Sequence, residues 1–200
     1  MKRKYAIAFN LLIVILEIIG FIICYKYTNK ISIEYYTEDS NLLALISSLL
    51  FLIYLLFNKK IPRWLEIFKY VTTSCLMLTF IVVVFILAPM HNFNYDYMLF
   101  TGPLLYHHLL CPTFSALTLI FFDNINVNKK DYLYSVSVTF IYAVVLLVLN
   151  ILKVLEGPYP FLFVYKQSIY ISFMWFMIIF TLTYVINSIL ILLYMKYKGD

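Results

Sequence analysis

Long apolar runs separated by short polar segments dominate the chain: Tyr5–Tyr25, Asn41–Phe57, Trp64–Ala88, Gly102–Phe122, Tyr132–Leu152 and Ile169–Tyr194. A helix needs about 20 such residues to cross about 30 Å of hydrocarbon. The pattern therefore predicts an all-α bundle of six transmembrane helices in a single domain. A β-barrel would instead show short segments of alternating polarity. Continuous helices also satisfy their own backbone groups, which lipid requires.

Polar residues recur within two of these runs. Asn10, Glu17 and Cys24 repeat every seven residues along the first. On a regular helix Thr101, His108, Cys111 and Ser115 share one side of the fourth, and His107 points about 100° away. Two such stripes are best buried against each other, because lipid leaves them unpaired. His108 is accordingly expected inside the bundle ahead of His107. At about 1.5 Å per residue, His108 lies about 9 Å from Gly102 and Glu17 about 12 Å from Tyr25, which predicts similar depths. Asn150 closes the fifth run near the same face.

The connections are brief. Asn58 to Trp64 reads as a tight turn with Pro62 as the helix stop, and Asp123 to Asp131 as a second turn on the same side. The opposite side carries longer loops, Lys26–Ser40, Met90–Thr101 and Lys153–Ser168. Gly157-Pro158-Tyr159-Pro160-Phe161 is too rich in proline for a helix and is expected as a lid, a wall or an ordinary turn. Thr37, Asp39 and Ser40 precede an apolar run, where N-capping is the default role. Pro112 is expected to kink the fourth helix and free the carbonyl of His108.

Composition sharpens this picture. The chain is 64% hydrophobic and 12% charged, with a mean hydropathy of +0.91, leaving little room for a soluble domain. Of its 15 basic residues, 11 fall on one side of the predicted bundle, with Lys69 counted there, and only Lys26, Lys30, Lys153 and Lys166 on the other. Basic loops stay in the cytoplasm, so both termini are expected inside. The net charge of +5 is thus a topology signal and no footprint for nucleic acid, which needs a clustered patch. Lys2-Arg3-Lys4 before an apolar run imitates a signal peptide, but no small-residue cleavage site follows, so the run is expected to be retained. Cys24, Cys75 and Cys111 lie in or near spans at no metal-ligand spacing, so neither a disulfide framework nor a metal site is expected. The bias toward Ile, Lys, Asn and Tyr suggests an AT-rich bacterial genome and hence a bacterial plasma membrane.

Ionisable groups at membrane depth are costly and mark candidate functional sites. His107 and His108 inside an apolar run are the first of these, and Glu17 is the second. A hydroxyl and an imidazole meeting in a dry cavity begin an acyl-transfer site, with a carboxylate to hold the imidazole. Ser40 and Asn41 offer donors near such a site, and Cys111, Asn150 and Tyr159 are candidate substrate contacts. No P-loop, dinucleotide fingerprint, zinc motif or nucleophile elbow is present, so no cofactor is expected. A proton-coupled or small-molecule carrier with Glu17 and His108 as relay groups is the rival reading. A scaffold or sensor in which the polar groups only fix helix register is a third.

Tyr35-Tyr36-Thr37-Glu38-Asp39-Ser40-Asn41-Leu42-Leu43 resembles the aromatic-Thr-x-x-Ser-Asn-Leu signature of a bacterial six-span family. His108-x-x-x-Pro112 and Gly157-Pro158-Tyr159-Pro160-Phe161 fit the same pattern in the same order. That family is similar to the androgen-induced and androgen-dependent TFPI-regulating proteins, intramembrane threonine hydrolases acting on fatty-acid esters of hydroxy fatty acids. The resemblance implies Thr37 as nucleophile and one of the pair His107 and His108 as the catalytic histidine, with proline spacing favouring His108. It implies membrane lipids as partners and an acyl-ester lipid as substrate. Glu17 and Asn41 enter from local physics alone.

Overall fold

The computed structural model describes residues 2–198 and contains no strand among them. Six helices are long and apolar enough to cross a membrane, as the hydropathy pattern predicts. They are α1 (Lys2–Thr28), α2 (Tyr36–Leu56), α3 (Arg63–Met90), α5 (Leu105–Phe122), α6 (Tyr132–Ile151) and α7 (Ile169–Lys198), with a short α4 (Tyr95–Phe100) between α3 and α5.

α3 is the hub. It packs against α2, α5, α6 and α7, whereas α1 lies outside against α2 and α5. In its most apolar stretch 67% of the residues are buried, against 17% for α6, so α6 presents most of its surface outward, through Phe140, Ile141 and Val148 among others. Without a hydrophobic drive between helices in lipid, polar pairs at small-residue contacts hold a bundle together. Here α3 supplies them: Thr72 to Ser47 (2.8 Å), Thr73 to Ser115 (2.8 Å), Ser74 to Ser135 (2.8 Å), and Tyr70 to Asn187 (2.5 Å).

Two prolines account for two of the three irregular turns, and the third, Thr118–Phe122, ends α5 without one. Pro89 and Pro112 lack the N–H that a regular helix needs and crowd the preceding turn. The backbone widens just before each to an i→i+5 pattern, over Val83–Leu87 and Leu105–Leu110. The second wide turn contains both histidines, and it removes the basis of a face argument built on 3.6 residues per turn. His107 and His108 are both buried. Thr101, expected on their stripe, lies outside the helix and is exposed.

α2 begins earlier than the hydropathy pattern places it, because Glu38 and Asp39 suit a first turn whose free N–H groups attract negative charge. Thr37 and Ser40 are therefore inside the helix. The N-cap position is Tyr35, which makes no side-chain cap, and the expected capping role of Thr37, Asp39 and Ser40 falls away. Lys69, counted above with the basic turns, is fully buried within α3; setting it aside leaves the asymmetry of the remaining basic residues intact.

The turn between α5 and α6 is tied down by charge. Arg63 donates to both oxygens of Asp131 (2.7 and 2.5 Å), which also accepts from the Asn128 N–H (2.7 Å). Arg63 is 38% exposed, so water screens the pair, and Arg63→Ala should cost about 1–2 kcal/mol. Thermal unfolding in detergent reads this directly, and an unchanged midpoint would show the pair to be neutral.

Candidate functional site

An apolar cavity of about 480 Å³ lies between α2, α3, α6, α7 and the loop that precedes α7. Leu87, Leu147, Trp175, Phe176 and Phe180 make up much of its wall, and the polar groups at it are few: Thr37, Thr79, Thr139, Tyr36, Tyr142 and Tyr159 among them. The Gly157–Phe161 segment forms part of that wall. Tyr159 stacks on Phe161 (4.9 Å) and meets Tyr35 edge-on (5.8 Å). Gly157 is required there, since a Cβ would sit 2.5 Å from the Cβ of Leu162 and 2.8 Å from its carbonyl oxygen.

Thr37 stands at the cavity in the first turn of α2. Its backbone N–H donates to the Tyr159 hydroxyl (3.4 Å). Its carbonyl accepts from Ser40 Oγ (3.0 Å) and Asn41 Nδ2 (2.8 Å). Ser40 also shares a hydrogen bond with Thr79 (3.1 Å), another cavity residue. Asn41 Nδ2 reaches further, to the carbonyl of His107 (3.3 Å), so one amide bridges Thr37 to the histidine segment. Burial pushes the Tyr159 phenol up to about 12, with Thr37 hydrogen bonding opposing the shift; it is a hydrogen-bond donor at neutral pH and no base.

The histidines face other partners. His108 Nδ1 lies 2.7 Å from the Met98 carbonyl, which can only accept, so that nitrogen carries the hydrogen and Nε2 keeps its lone pair. His107 Nδ1 is 3.4 Å from Glu38 Oε2, and its Nε2 faces α1 at Gly20, where a Cβ would come within 2.5 Å of it. No hydrogen bond joins the Thr37 hydroxyl to either imidazole, and neither histidine lines the cavity.

The remaining predicted residues separate. The stripe Asn10, Glu17 and Cys24 is buried as its spacing predicts. Glu17 lies beside the Cys111 thiol, but neither of its oxygens has a partner in hydrogen-bonding geometry, and it is not paired with His108. Asn150 is buried in α6 but belongs neither to the cavity wall nor to the bonds around Thr37. Among the described residues no three His, Cys, Asp or Glu side chains come together as a metal site.

Sequence reasoning overlooks Glu38, Lys69, Asp123 and Gly20. Glu38 sits inside the quoted motif, and its partners Cys24 and His107 come from other helices. The seven-residue stripe on α1 is the one signal that leads to them, since Asn10 meets Asp123, Glu17 meets Cys111, and Cys24 meets Glu38. Comparison with protein-family models, curated proteins and solved structures gives no match for this chain.

Proposed function

We propose that the protein is a lipid-ester hydrolase or acyltransferase of a bacterial plasma membrane, with both termini in the cytoplasm and an acyl chain held in the cavity. The observation that carries this reading is the position of Thr37, a hydroxyl at a cavity whose wall is otherwise mostly apolar. Such a space suits a hydrocarbon tail, with the few polar groups to orient its head. The motif resemblance around Thr37, His108 and Tyr159 points the same way, and the basic residues gathered on one side support the orientation.

Thr37 acts as nucleophile and His108 as base. The Met98 carbonyl fixes the His108 tautomer with a free lone pair on Nε2, the form a general base needs. His107 is the poorer candidate because its Nε2 is pressed against Gly20. In unliganded sites such pairs commonly stand apart until substrate seats. His108 Nε2 then takes the hydroxyl proton as the Thr37 oxygen bonds to the ester carbonyl carbon. Collapse of the tetrahedral intermediate breaks the bond to the alcohol, which leaves with that proton. Water or a second lipid hydroxyl reverses the sequence and frees Thr37. The Tyr159 oxygen already accepts from the Thr37 N–H, so its own hydrogen is available to the developing oxyanion. Glu17, expected beside the histidine, has no part in this arrangement.

Covalent labelling by a fluorophosphonate probe tests the reading. Labelling of the wild type should vanish in Thr37→Ala and His108→Ala and persist in His107→Ala. Loss in His107→Ala with retention in His108→Ala would transfer the base role. No labelling of folded wild type would sink the enzyme reading.

A further inference from the structure

Seven buried polar side-chain atoms among the described residues have no hydrogen-bond partner: Asn10 Oδ1, both oxygens of Glu17, Glu38 Oε2, Asn41 Oδ1, His107 Nε2 and Asp123 Oδ2. An unpaired buried polar atom forfeits the hydrogen bonds it made to water, so a cluster of them needs a reason. These seven are not scattered. All lie along or beside the contact of α1 with α2 and α5, and none of their residues lines the cavity. Asn10 Nδ2 donates to Asp123 Oδ1 (2.9 Å) at one end. Glu17 is in the middle. At the other end Glu38 meets His107 (3.4 Å), whose carbonyl accepts from Asn41.

The chemistry of the row is one-sided. Six of the seven atoms are oxygens that accept, and what they lack is a donor. A single cation cannot serve them, because successive levels of the α1 stripe are about 10 Å apart along the helix. Lys69, fully buried and within electrostatic reach of both Glu17 and Asp123, also repels metal cations. Protons, carried between levels by water, need no shared site and leave a neutral acid when they bind a carboxylate, and they exchange with carboxyl and imidazole groups.

We infer that the row Asp123, Asn10, Glu17, His107 and Glu38 is a proton path through the bundle, separate from the cavity at Thr37. A proton entering at Asp123 passes to Glu17 and then to His107 Nε2, while the Nδ1 proton leaves to Glu38. Water then relays the Nε2 proton to Nδ1 of the same ring, which restores the starting tautomer without returning a proton to Glu17 or drawing one from Glu38, so one proton enters for each that departs. Glu38, with 14% of its side chain exposed, is the exit at that end.

The purified full-length chain in liposomes loaded with a pH-sensitive dye gives the test. A membrane potential imposed with potassium and valinomycin should drive acidification faster than in protein-free vesicles. Glu17→Gln, nearly isosteric, should return the rate to that of protein-free vesicles, and Glu38→Gln at the more accessible end should do the same should the first variant not reconstitute. Thr37→Ala should keep the wild-type rate while losing fluorophosphonate labelling, so the two proposals fail independently. A wild-type rate equal to protein-free vesicles, or an unchanged rate in both glutamine variants, overturns the path.

Discussion

Lys69→Met should lower the stability of the solubilised protein by about 3–5 kcal/mol near neutral pH, the usual cost of stripping one member from a buried charge cluster. Lys69 is wholly enclosed, and its ammonium donates to Ser48 (2.7 Å) and lies in reach of Asp123 and Glu17. Methionine keeps an unbranched side chain of similar bulk and removes the charge together with the bond to Ser48, leaving two carboxyl groups in an apolar bundle. Asp123, at the end of α5, sets the pH dependence. Burial raises it to about 6 even with Lys69, Asn10 and Lys198 favouring the ionised form. A folded value above the unfolded one means that the native state holds a proton the unfolded chain has released. Stability is therefore lost as pH climbs from the ordinary carboxylate range through about 6, by about 3 kcal/mol in all. Without Lys69 that window extends to higher pH. The penalty of Lys69→Met should accordingly be small in acid and grow toward alkaline pH. Melting temperatures of both proteins across pH 4 to 8 measure it, and a penalty flat or falling with pH would remove Lys69 as the counter-charge.

The six spans were legible because lipid imposes a length and a polarity that no other environment demands, and the Asn10, Glu17, Cys24 spacing was enough to orient α1. The site was legible in its residue types and less so in its pairings. A regular-helix argument favours His108 over His107 as the interior residue; Pro112 widens the turn that carries them, and both are buried. Hydropathy placed the start of α2 at Asn41, because Thr37, Glu38 and Asp39 are polar. The first turn of a helix welcomes such residues, and its true start brings Thr37 to the cavity and Glu38 to His107 and Cys24. Lys69 reads as a surface charge because sequence alone does not reveal that Ser48 and the two carboxyl groups from other helices lie around it.

Gly20→Ala should change sign with its background. Alanine gains about 1 kcal/mol over glycine within a helix, and by propensity alone the variant would be more stable. The new Cβ would lie 2.5 Å from His107 Nε2 and 2.7 Å from Cδ2, so the imidazole has to swing away and loses its approach to Glu38. Overpacking of this kind costs about 1–3 kcal/mol, which outweighs the gain, and net destabilisation is expected. In a His107→Ala background the obstacle is gone, and the same substitution should stabilise the protein. That reversal is a coupling between residues in contact, and a double-mutant cycle by thermal unfolding isolates it. Displacing the ring also cuts the row between Glu17 and Glu38, so Gly20→Ala should abolish proton flux while His108, whose ring Gly20 does not touch, still supports labelling of Thr37. Additive effects in the cycle would mean that His107 does not lie against α1, and the case against His107 as the base would fall, leaving the Met98 bond and the proline spacing to favour His108.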